Sequence, residues 1–135
     1  MTFDVFKTFI DRNTTYIGFG EWVGPTILFA AQFASRCFGL EPDPRAFNEL
    51  QLNVAVNPDL PIVVDKLCIS TKSEILNMSG IGFSNSVVDK QNPSTFQHHL
   101  NKGRPIFQVQ CVSLFEYLTM RSAFSQNMFI KVDIG

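Results

Sequence analysis

The chain has 135 residues, of which 45% are hydrophobic, and this is enough for one domain with a sizeable core. Its 11 basic and 12 acidic residues give a formal net charge of −1, which argues against a nucleic-acid-binding protein because such proteins need a clustered basic surface. The amino terminus lacks the pattern of a secretory signal, and the most apolar segment is too short to span a bilayer. We therefore expect a cytoplasmic protein with neither a membrane nor a nucleic-acid partner.

The first half of the chain alternates between helical and extended patterns. Asp43 followed by Pro44 marks a helix start, since an acid caps the amino terminus and proline suits the first helical position. The predicted elements of this half are a lead-in helix at 2–11 (within a lead-in segment 1–14), a strand at 15–19, an apolar helix at 26–36 with Arg36 in its last turn, a strand at 37–41, and a helix from 44 that ends before Asn57.

The second half continues the alternation less regularly. We predict a third strand within 61–70, an extended piece at 74–78, a long loop at 79–104, a strand at 107–112, a helix at 114–120 capped by Ser113, and a strand at 128–134. Strands that alternate with helices imply an α/β fold, with a parallel sheet between two helical layers, α/β/α. Because the sequence stops after a strand that reads as central, we expect a domain truncated at Gly135.

Cysteine and histidine residues give no metal pattern. Cys37, Cys68 and Cys111 are odd in number and form no C-x-x-C pair, so we expect three buried free thiols in a reducing compartment. His98 and His99 have no acidic or sulfur ligand nearby, and adjacent histidines point apart on most backbones, so we expect a solvated loop pair.

The run YIGFGEWVGPT, residues 16–26, indicates a turn for a nucleoside-containing cofactor. Gly20 and Gly24 lie between a strand and a helix, where glycine lets backbone N–H groups approach a ligand closely. Glu41 ends the second strand about 20 residues further on, where a carboxylate accepts hydrogen bonds from ribose hydroxyls. An ordinary strand-to-helix turn, with Glu41 as an acid before a helix, is the structural alternative.

Residues 18–26 resemble the motif hydrophobic-Asp-x-Gly-x-x-x-Gly-x-Thr of the FkbM-type family of S-adenosylmethionine-dependent methyltransferases. GLEPDP at 39–44 is similar to the family's acid after the second strand, and IKVD at 130–133 is similar to its I-K-x-D-x-E-G strand. Weaker similarities lie at 53–57, 82–86 and 109–115, so the resemblance covers 16–135, the amino-terminal part of the family's domain.

The resemblance implies a Rossmann-like class I methyltransferase fold with S-adenosylmethionine as cofactor. Gly20 and Gly24 would form the turn under the cofactor, Glu41 would bind the ribose, and Asp133 would be the catalytic residue that faces the methyl donor or the acceptor. Lys131 and Asp133 are two positions apart and share one side of a strand.

This sequence departs from the motif at Gly18, which stands where the family has its first-strand acid. Glu21 is the candidate substitute for that acid, and Trp22 is a candidate to pack beside the cofactor. Loss of a hydrogen bond to a charged group costs about 1.5–3 kcal/mol, so cofactor affinity depends on whether Glu21 replaces it.

The function that the resemblance implies is transfer of a methyl group to a hydroxyl on a sugar or small metabolite, with a small-molecule or glycan acceptor as partner. Two alternatives remain open. The glycine run also reads G-x-G-x-x-x-G, one residue longer than the fingerprint of NAD(P)-dependent oxidoreductases. The chain could also be an inactive remnant of the fold.

Overall fold

Four parallel strands form the central sheet of the computed structural model, which describes residues 2–81, 84–88, 103 and 105–133. The helices are α1 (Thr2–Phe9), α2 (Pro25–Ala30), α3 (Pro44–Ala55) and α4 (Leu114–Met120). The strands are β1 (Thr15–Phe19), β2 (Arg36–Leu40), β3 (Ile62–Asp65), β4 (Cys68–Ile69), β5 (Glu74–Ile81), β6 (Ser84–Val88), β7 (Ile106–Val112) and β8 (Met128–Val132).

The central sheet has the order β3-β2-β1-β8, and each pair of neighbours is parallel. The chain first moves outward from β1 to β2 and β3, and then returns to place β8 on the other side of β1. This reversal is the arrangement of a doubly wound, Rossmann-like sheet. The predicted α/β class is confirmed.

Helices cover both faces of the central sheet, because successive side chains of a strand point to opposite sides. On one face, Tyr16 and Cys37 pack with α1, α2 and α3. On the other face, Ile17 and Phe38 pack with α4, where Tyr117 is buried. Each fully buried aliphatic or phenylalanine side chain stabilises the fold by roughly 1.5–3 kcal/mol. The predicted three-layer arrangement is therefore confirmed for the described part of the chain.

The lead-in helix is confirmed, although it ends at Phe9. Its buried Phe6 lies against the ring of Tyr16 at 5.6 Å and the ring of Phe129 at 5.2 Å, measured between centroids. Helix α1 thus packs onto two neighbouring strands of the sheet, β1 and β8.

A second sheet, with the order β4-β7-β5-β6, was not expected from the sequence. Strand β5 is antiparallel to both β6 and β7. The prediction of one strand within 61–70 was wrong, because β3 and β4 belong to different sheets. The predicted loop at 79–104 was wrong for residues 79–81 and 84–88, which pair in this sheet despite their glycine and serine content. Most of its remainder, including His98 and His99, lies outside the described residues.

Helix α2 is shorter than predicted, and Arg36 is not part of it. The helix ends at Ala30, and Arg36 begins β2. Its guanidinium donates to the Ser122 carbonyl at 2.9 Å and lies over the Phe38 ring, so this side chain serves tertiary packing rather than the helix end. The final predicted strand is also shorter and ends at Val132.

Cys68 and Cys111 form a disulfide, so the prediction of three free thiols was wrong for these two. They face each other in the register of the parallel strands β4 and β7, with Cα atoms 4.4 Å apart. Their separation of 43 residues along the chain hides this pairing from the sequence. Cys37 is buried and free, as predicted.

The described residues form neither a membrane-spanning helix nor a metal-binding cluster. None of their helices combines the length and hydropathy needed to cross a bilayer. The same residues contain no group of three or more histidine, cysteine, aspartate or glutamate side chains that could hold a metal ion.

Candidate cofactor site

The glycine turn lies at the topological switch point of the central sheet, where strand order reverses between β1 and β8. The Gly20 amide donates to the Leu40 carbonyl at 2.9 Å, which ties the turn to the end of β2. The Asp133 amide donates to the Phe19 carbonyl at 3.0 Å, which ties the end of β8 to the end of β1. In open α/β sheets, ligands bind in the crevice outside such carboxyl ends.

The turn itself has three residues with positive φ: Gly20 at 76°, Trp22 at 51° and Gly24 at 100°. A Cβ atom on Gly24 would lie 2.6 Å from Leu50 Cδ1, so this glycine also permits close packing of the turn against α3. For Trp22 a left-handed backbone costs about 1–3 kcal/mol, and it persists only where the surroundings impose it.

Glu41, which directly follows β2, holds Trp22 in its left-handed backbone conformation through a hydrogen bond. Its Oε2 accepts from the Trp22 amide at 2.8 Å, and its Oε1 accepts from the Asp43 amide at 2.9 Å. The side chain is only 7% exposed, and this burial raises its pKa, whereas the two amide hydrogen bonds act in the opposite direction. Each carboxylate oxygen accepts one of these amide hydrogen bonds and has lone-pair capacity for a further donor.

Glu21 lies inside the protein and not on the ligand side of the turn. It is 1% exposed. Its Oε1 accepts from the Tyr16 hydroxyl at 2.7 Å, while Oε2 accepts from the Thr26 hydroxyl at 2.8 Å and the Ile27 amide at 3.1 Å. The Glu21 carboxylate therefore satisfies a backbone donor in the first turn of α2, which Gly24, as N-cap, cannot do with a side chain.

The space for Glu21 comes from two glycines. A Cβ atom on Gly18 would lie 1.5 Å from Glu21 Oε1, and one on Gly39 would lie 3.0 Å from Glu21 Cγ. Gly18 and Gly39 are register partners in β1 and β2. The Glu21 carboxylate thus fills the volume that any side chain at position 18 would enter.

The charge of Glu21 acts on two buried neighbours. Burial raises the pKa of Tyr16 far above its ordinary value, and the adjacent Glu21 charge raises it further. Burial also raises the pKa of the Cys37 thiol to about 12, again with a contribution from Glu21. The Tyr16 hydroxyl therefore keeps its proton and continues to donate to the carboxylate.

Asp133 lies beside the turn, at the edge where the sequence predicted it. Its side chain is 73% exposed, and its Oδ2 is 3.4 Å from the Lys131 ammonium. Lys131 Nζ also donates to the Gly20 carbonyl at 3.2 Å. Lys131 thus links the turn to Asp133, a role that the two-residue spacing did not reveal.

Trp22 presents its indole to solvent, with 48% of the residue exposed, and its backbone sits in the turn. Behind the turn, Asn53 Nδ2 donates to the Val23 carbonyl at 2.8 Å and so fastens α3 to it. Asn53 lies in the segment 53–57 of weaker similarity to the family, and nothing in the sequence indicated its contact with the turn.

A second polar cluster, at the end of β3, was missed by the sequence analysis. Asp65 Oδ2 accepts from the Tyr117 hydroxyl at 2.8 Å and from Arg121 Nε at 2.9 Å, and Arg121 Nη2 forms an ion pair with Oδ1. The Asp65 carbonyl accepts from the Glu41 amide at 3.1 Å, so this cluster adjoins the candidate site. The partners lie more than fifty positions apart, and no local motif signals them.

Comparisons with known proteins give distant structural likenesses. No family model and no curated protein matches the chain. A rRNA methylase from Streptococcus thermophilus is similar at 11% identity and a TM-score of 0.46, over 76% of this chain and 59% of that chain. SMU.1697c from Streptococcus mutans, solved in complex with SAH, is similar at 10% identity and a TM-score of 0.48, over 75% of this chain and 61% of that chain.

The YcgJ protein from Bacillus subtilis is similar at 13% identity and a TM-score of 0.43, over 90% of this chain and 66% of that chain. The chain spans about three fifths of the length of the first two structures. Because these TM-scores are low, the fold assignment rests on the strand order and the helical layers described above.

Proposed function

We propose that this chain binds S-adenosylmethionine at the switch point and belongs to a methyltransferase of the FkbM type. The observation that carries the proposal is the position of Glu41. Its carboxylate follows β2, contacts the glycine turn through the Trp22 amide, and lies at the carboxyl edge of a Rossmann-like sheet. A carboxylate at this place in such folds accepts hydrogen bonds from ribose hydroxyls.

The residues of the site fit this cofactor in charge as well as in position. Two buried carboxylates, Glu41 and Glu21, flank the turn on different sides. S-adenosylmethionine carries a sulfonium cation and no phosphate, so a site with negative charge at its base favours it.

The same geometry disfavours a dinucleotide. In NAD(P)-binding folds, the pyrophosphate accepts hydrogen bonds from backbone N–H groups at the helix amino terminus. Here the Ile27 amide of α2 already donates to Glu21 Oε2, and the carboxylate would repel an anion at that position. The oxidoreductase alternative therefore has no supporting observation at this turn.

S-adenosylmethionine, when bound, would supply an electrophilic methyl carbon for in-line attack by an acceptor oxygen, with the thioether sulfur as the leaving group. We propose that the exposed Asp133 carboxylate faces this acceptor and orients its hydroxyl group by accepting a hydrogen bond. The Lys131 ammonium, 3.4 Å from Asp133 and bonded to the Gly20 carbonyl, holds the carboxylate near the turn. The proposed acceptor is a hydroxyl on a sugar or small metabolite. The main task of the site in this reaction is to hold the acceptor oxygen in line with the methyl carbon.

Calorimetric titration of the purified chain with S-adenosylmethionine, S-adenosylhomocysteine and NADH tests the proposal. We expect saturable binding of the first two and none of NADH. Glu41→Gln should weaken binding about ten- to a hundredfold, since hydrogen bonds to a charged acceptor contribute about 1.5–3 kcal/mol. Glu49→Gln is the matched control, because Glu49 lies on the exposed face of α3.

Two outcomes would contradict the proposal. A folded chain that binds none of the three ligands would be the inactive remnant of this fold. A chain that binds NADH alone would be a dinucleotide-binding protein. Thermal unfolding of each variant separates a loss of binding from a loss of structure.

A further inference from the structure

Glu21 is a buried carboxylate whose donors in the described part of the chain are all neutral. The Tyr16 hydroxyl, the Thr26 hydroxyl and the Ile27 amide each donate one hydrogen bond to it. A group that only accepts hydrogen bonds is suited to the ionised form. The geometry of these hydrogen bonds thus fits a carboxylate anion under the glycine turn, with neutral groups around it.

This charge lies close to where a ligand of the turn would bind, yet solvent does not reach it. Glu21 belongs to the turn itself, next to Gly20 and Trp22, and is 1% exposed. Buried charges are screened by salt much less than exposed ones. The raised pKa values of Tyr16 and Cys37 have a contribution from this charge, so its field extends to its neighbours.

We propose that Glu21 is the specificity-determining residue that makes the site prefer a cationic nucleoside over its neutral counterpart, without touching the ligand. This inference rests on the proposed function. Methyl transfer breaks the carbon–sulfur bond, leaves its electron pair on sulfur, forms a carbon–oxygen bond and releases the hydroxyl proton of the acceptor to solvent. The ligand thereby changes from a sulfonium cation to a neutral thioether, and Glu21 favours the substrate over this product.

The size of the effect follows from Coulomb's law. Two unit charges about 10 Å apart, at an effective dielectric constant of about 20, change an equilibrium constant on the order of tenfold. The Lys131 ammonium lies beside the Asp133 carboxylate at 3.4 Å, so these two charges offset each other at the same edge.

The test measures two dissociation constants, for S-adenosylmethionine and for S-adenosylhomocysteine, in the wild type and in Glu21→Gln. Glutamine keeps the volume, and its amide can still accept from Thr26 and Ile27 while it donates to the Tyr16 oxygen. We expect the preference for S-adenosylmethionine over S-adenosylhomocysteine to fall on the order of tenfold. Glu49→Gln removes one charge from the exposed face of α3 and should leave the ratio unchanged.

An equal loss of affinity for both ligands in Glu21→Gln would overturn the inference, because a merely structural residue weakens both alike. That result leaves the proposed function intact, whereas a wild type that binds neither ligand overturns both.

A second pair of variants serves if Glu21→Gln does not fold. Gly18→Asp/Glu21→Gly and Gly18→Asn/Glu21→Gly place a charged or a neutral side chain in the volume that Glu21 now fills. Gly18→Asp/Glu21→Gly should show a stronger preference for S-adenosylmethionine over S-adenosylhomocysteine than Gly18→Asn/Glu21→Gly. If the ratio of the two dissociation constants is the same in both variants, the inference is overturned.

Discussion

Gly18 lies directly opposite Gly39 in the register of β1 and β2, and the Glu21 side chain lies over both. Neither glycine has a positive φ, so both are needed for space and not for backbone freedom. The three residues form one packing unit, in which the lack of a side chain at Gly18 and at Gly39 leaves the space that the buried Glu21 carboxylate occupies.

The first prediction concerns Gly18→Ala. The new methyl group would collide with Glu21 Oε1, at 1.5 Å in the present geometry, and displace the carboxylate from its donors. Overpacking costs about 1–3 kcal/mol and each lost charged hydrogen bond about 1.5–3 kcal/mol. We expect the free energy of unfolding, measured by urea denaturation, to fall by about 3 kcal/mol.

The double variant Gly18→Ala/Glu21→Ala provides the control for this packing unit. Without the carboxylate the clash disappears, so the two substitutions together should cost less than the sum of their separate effects. Strict additivity would show that Gly18 and Glu21 are energetically independent.

The second prediction concerns Trp22, whose φ of 51° suits asparagine better than tryptophan. Trp22→Asn should leave the free energy of unfolding unchanged or higher, because strain is relieved and the indole is 48% exposed. Affinity for S-adenosylmethionine should fall about tenfold, since an aromatic stack on a base contributes about 1–3 kcal/mol. Phe115→Ala, at an exposed aromatic on α4, is the control and should not change the affinity.

Urea denaturation measures the stability of Trp22→Asn, and calorimetry on the same samples measures its affinity for S-adenosylmethionine. A Trp22→Asn protein that is less stable but binds with wild-type affinity would assign the indole to folding and not to ligand binding.

The third prediction is a pH dependence that follows from the raised pKa of Glu41. Above that pKa, the wild type must keep a charged carboxylate buried, whereas Glu41→Gln is neutral. As the pH falls through the raised pKa toward the ordinary value of 4.5, the folded state takes up a proton that the unfolded state does not yet bind. The wild type should therefore gain stability relative to Glu41→Gln as the pH falls from 7 toward this value.

Urea denaturation of both proteins at several pH values across this window gives the difference directly. A gain of relative stability with rising pH would mean that the two amide hydrogen bonds outweigh the burial of Glu41.

The fourth prediction concerns the disulfide between Cys68 and Cys111. For a cross-link with a separation of 43 residues, loop-closure entropy gives a stabilisation of about 4 kcal/mol. The variant Cys68→Ala/Cys111→Ala should lose about this much in urea denaturation, and dithiothreitol should lower the stability of the wild type alone. Cys37 should stay unlabelled by iodoacetamide until the protein unfolds, because it is buried. Labelling of three cysteines in the native, non-reduced protein would contradict the cross-link.

Local sequence signals were sufficient for much of the central sheet. The β1 strand at 15–19, the Asp43 cap of α3 and the Ser113 cap of α4 were all predicted correctly, because each depends on neighbouring residues. The Asp43 side chain accepts from the Ala46 amide, as an N-cap acid does.

Features that depend on distant contacts were not predictable. Residues 79–81 and 84–88 have a loop-like composition, and their pairing in the second sheet decides their conformation. The position of the Glu21 carboxylate depends on Gly39, which is a neighbour only after β2 pairs with β1. For the candidate site, the sequence indicated which residues gather at the edge, but it gave no sign that Glu21 is turned inward.

The hydrogen bond from Lys131 to the Gly20 carbonyl joins residues 111 positions apart and has a consequence for the order of folding. Strands β1, β2 and β3 are consecutive parallel neighbours and can pair early, because the connections through α2 and α3 are much shorter than the one that leads to β8. The contact between β8 and the turn closes a far longer loop, and such non-local contacts form slowly. We therefore expect this edge to assemble late, so that a chain still emerging from the ribosome completes the candidate site only after Lys131 has been synthesised.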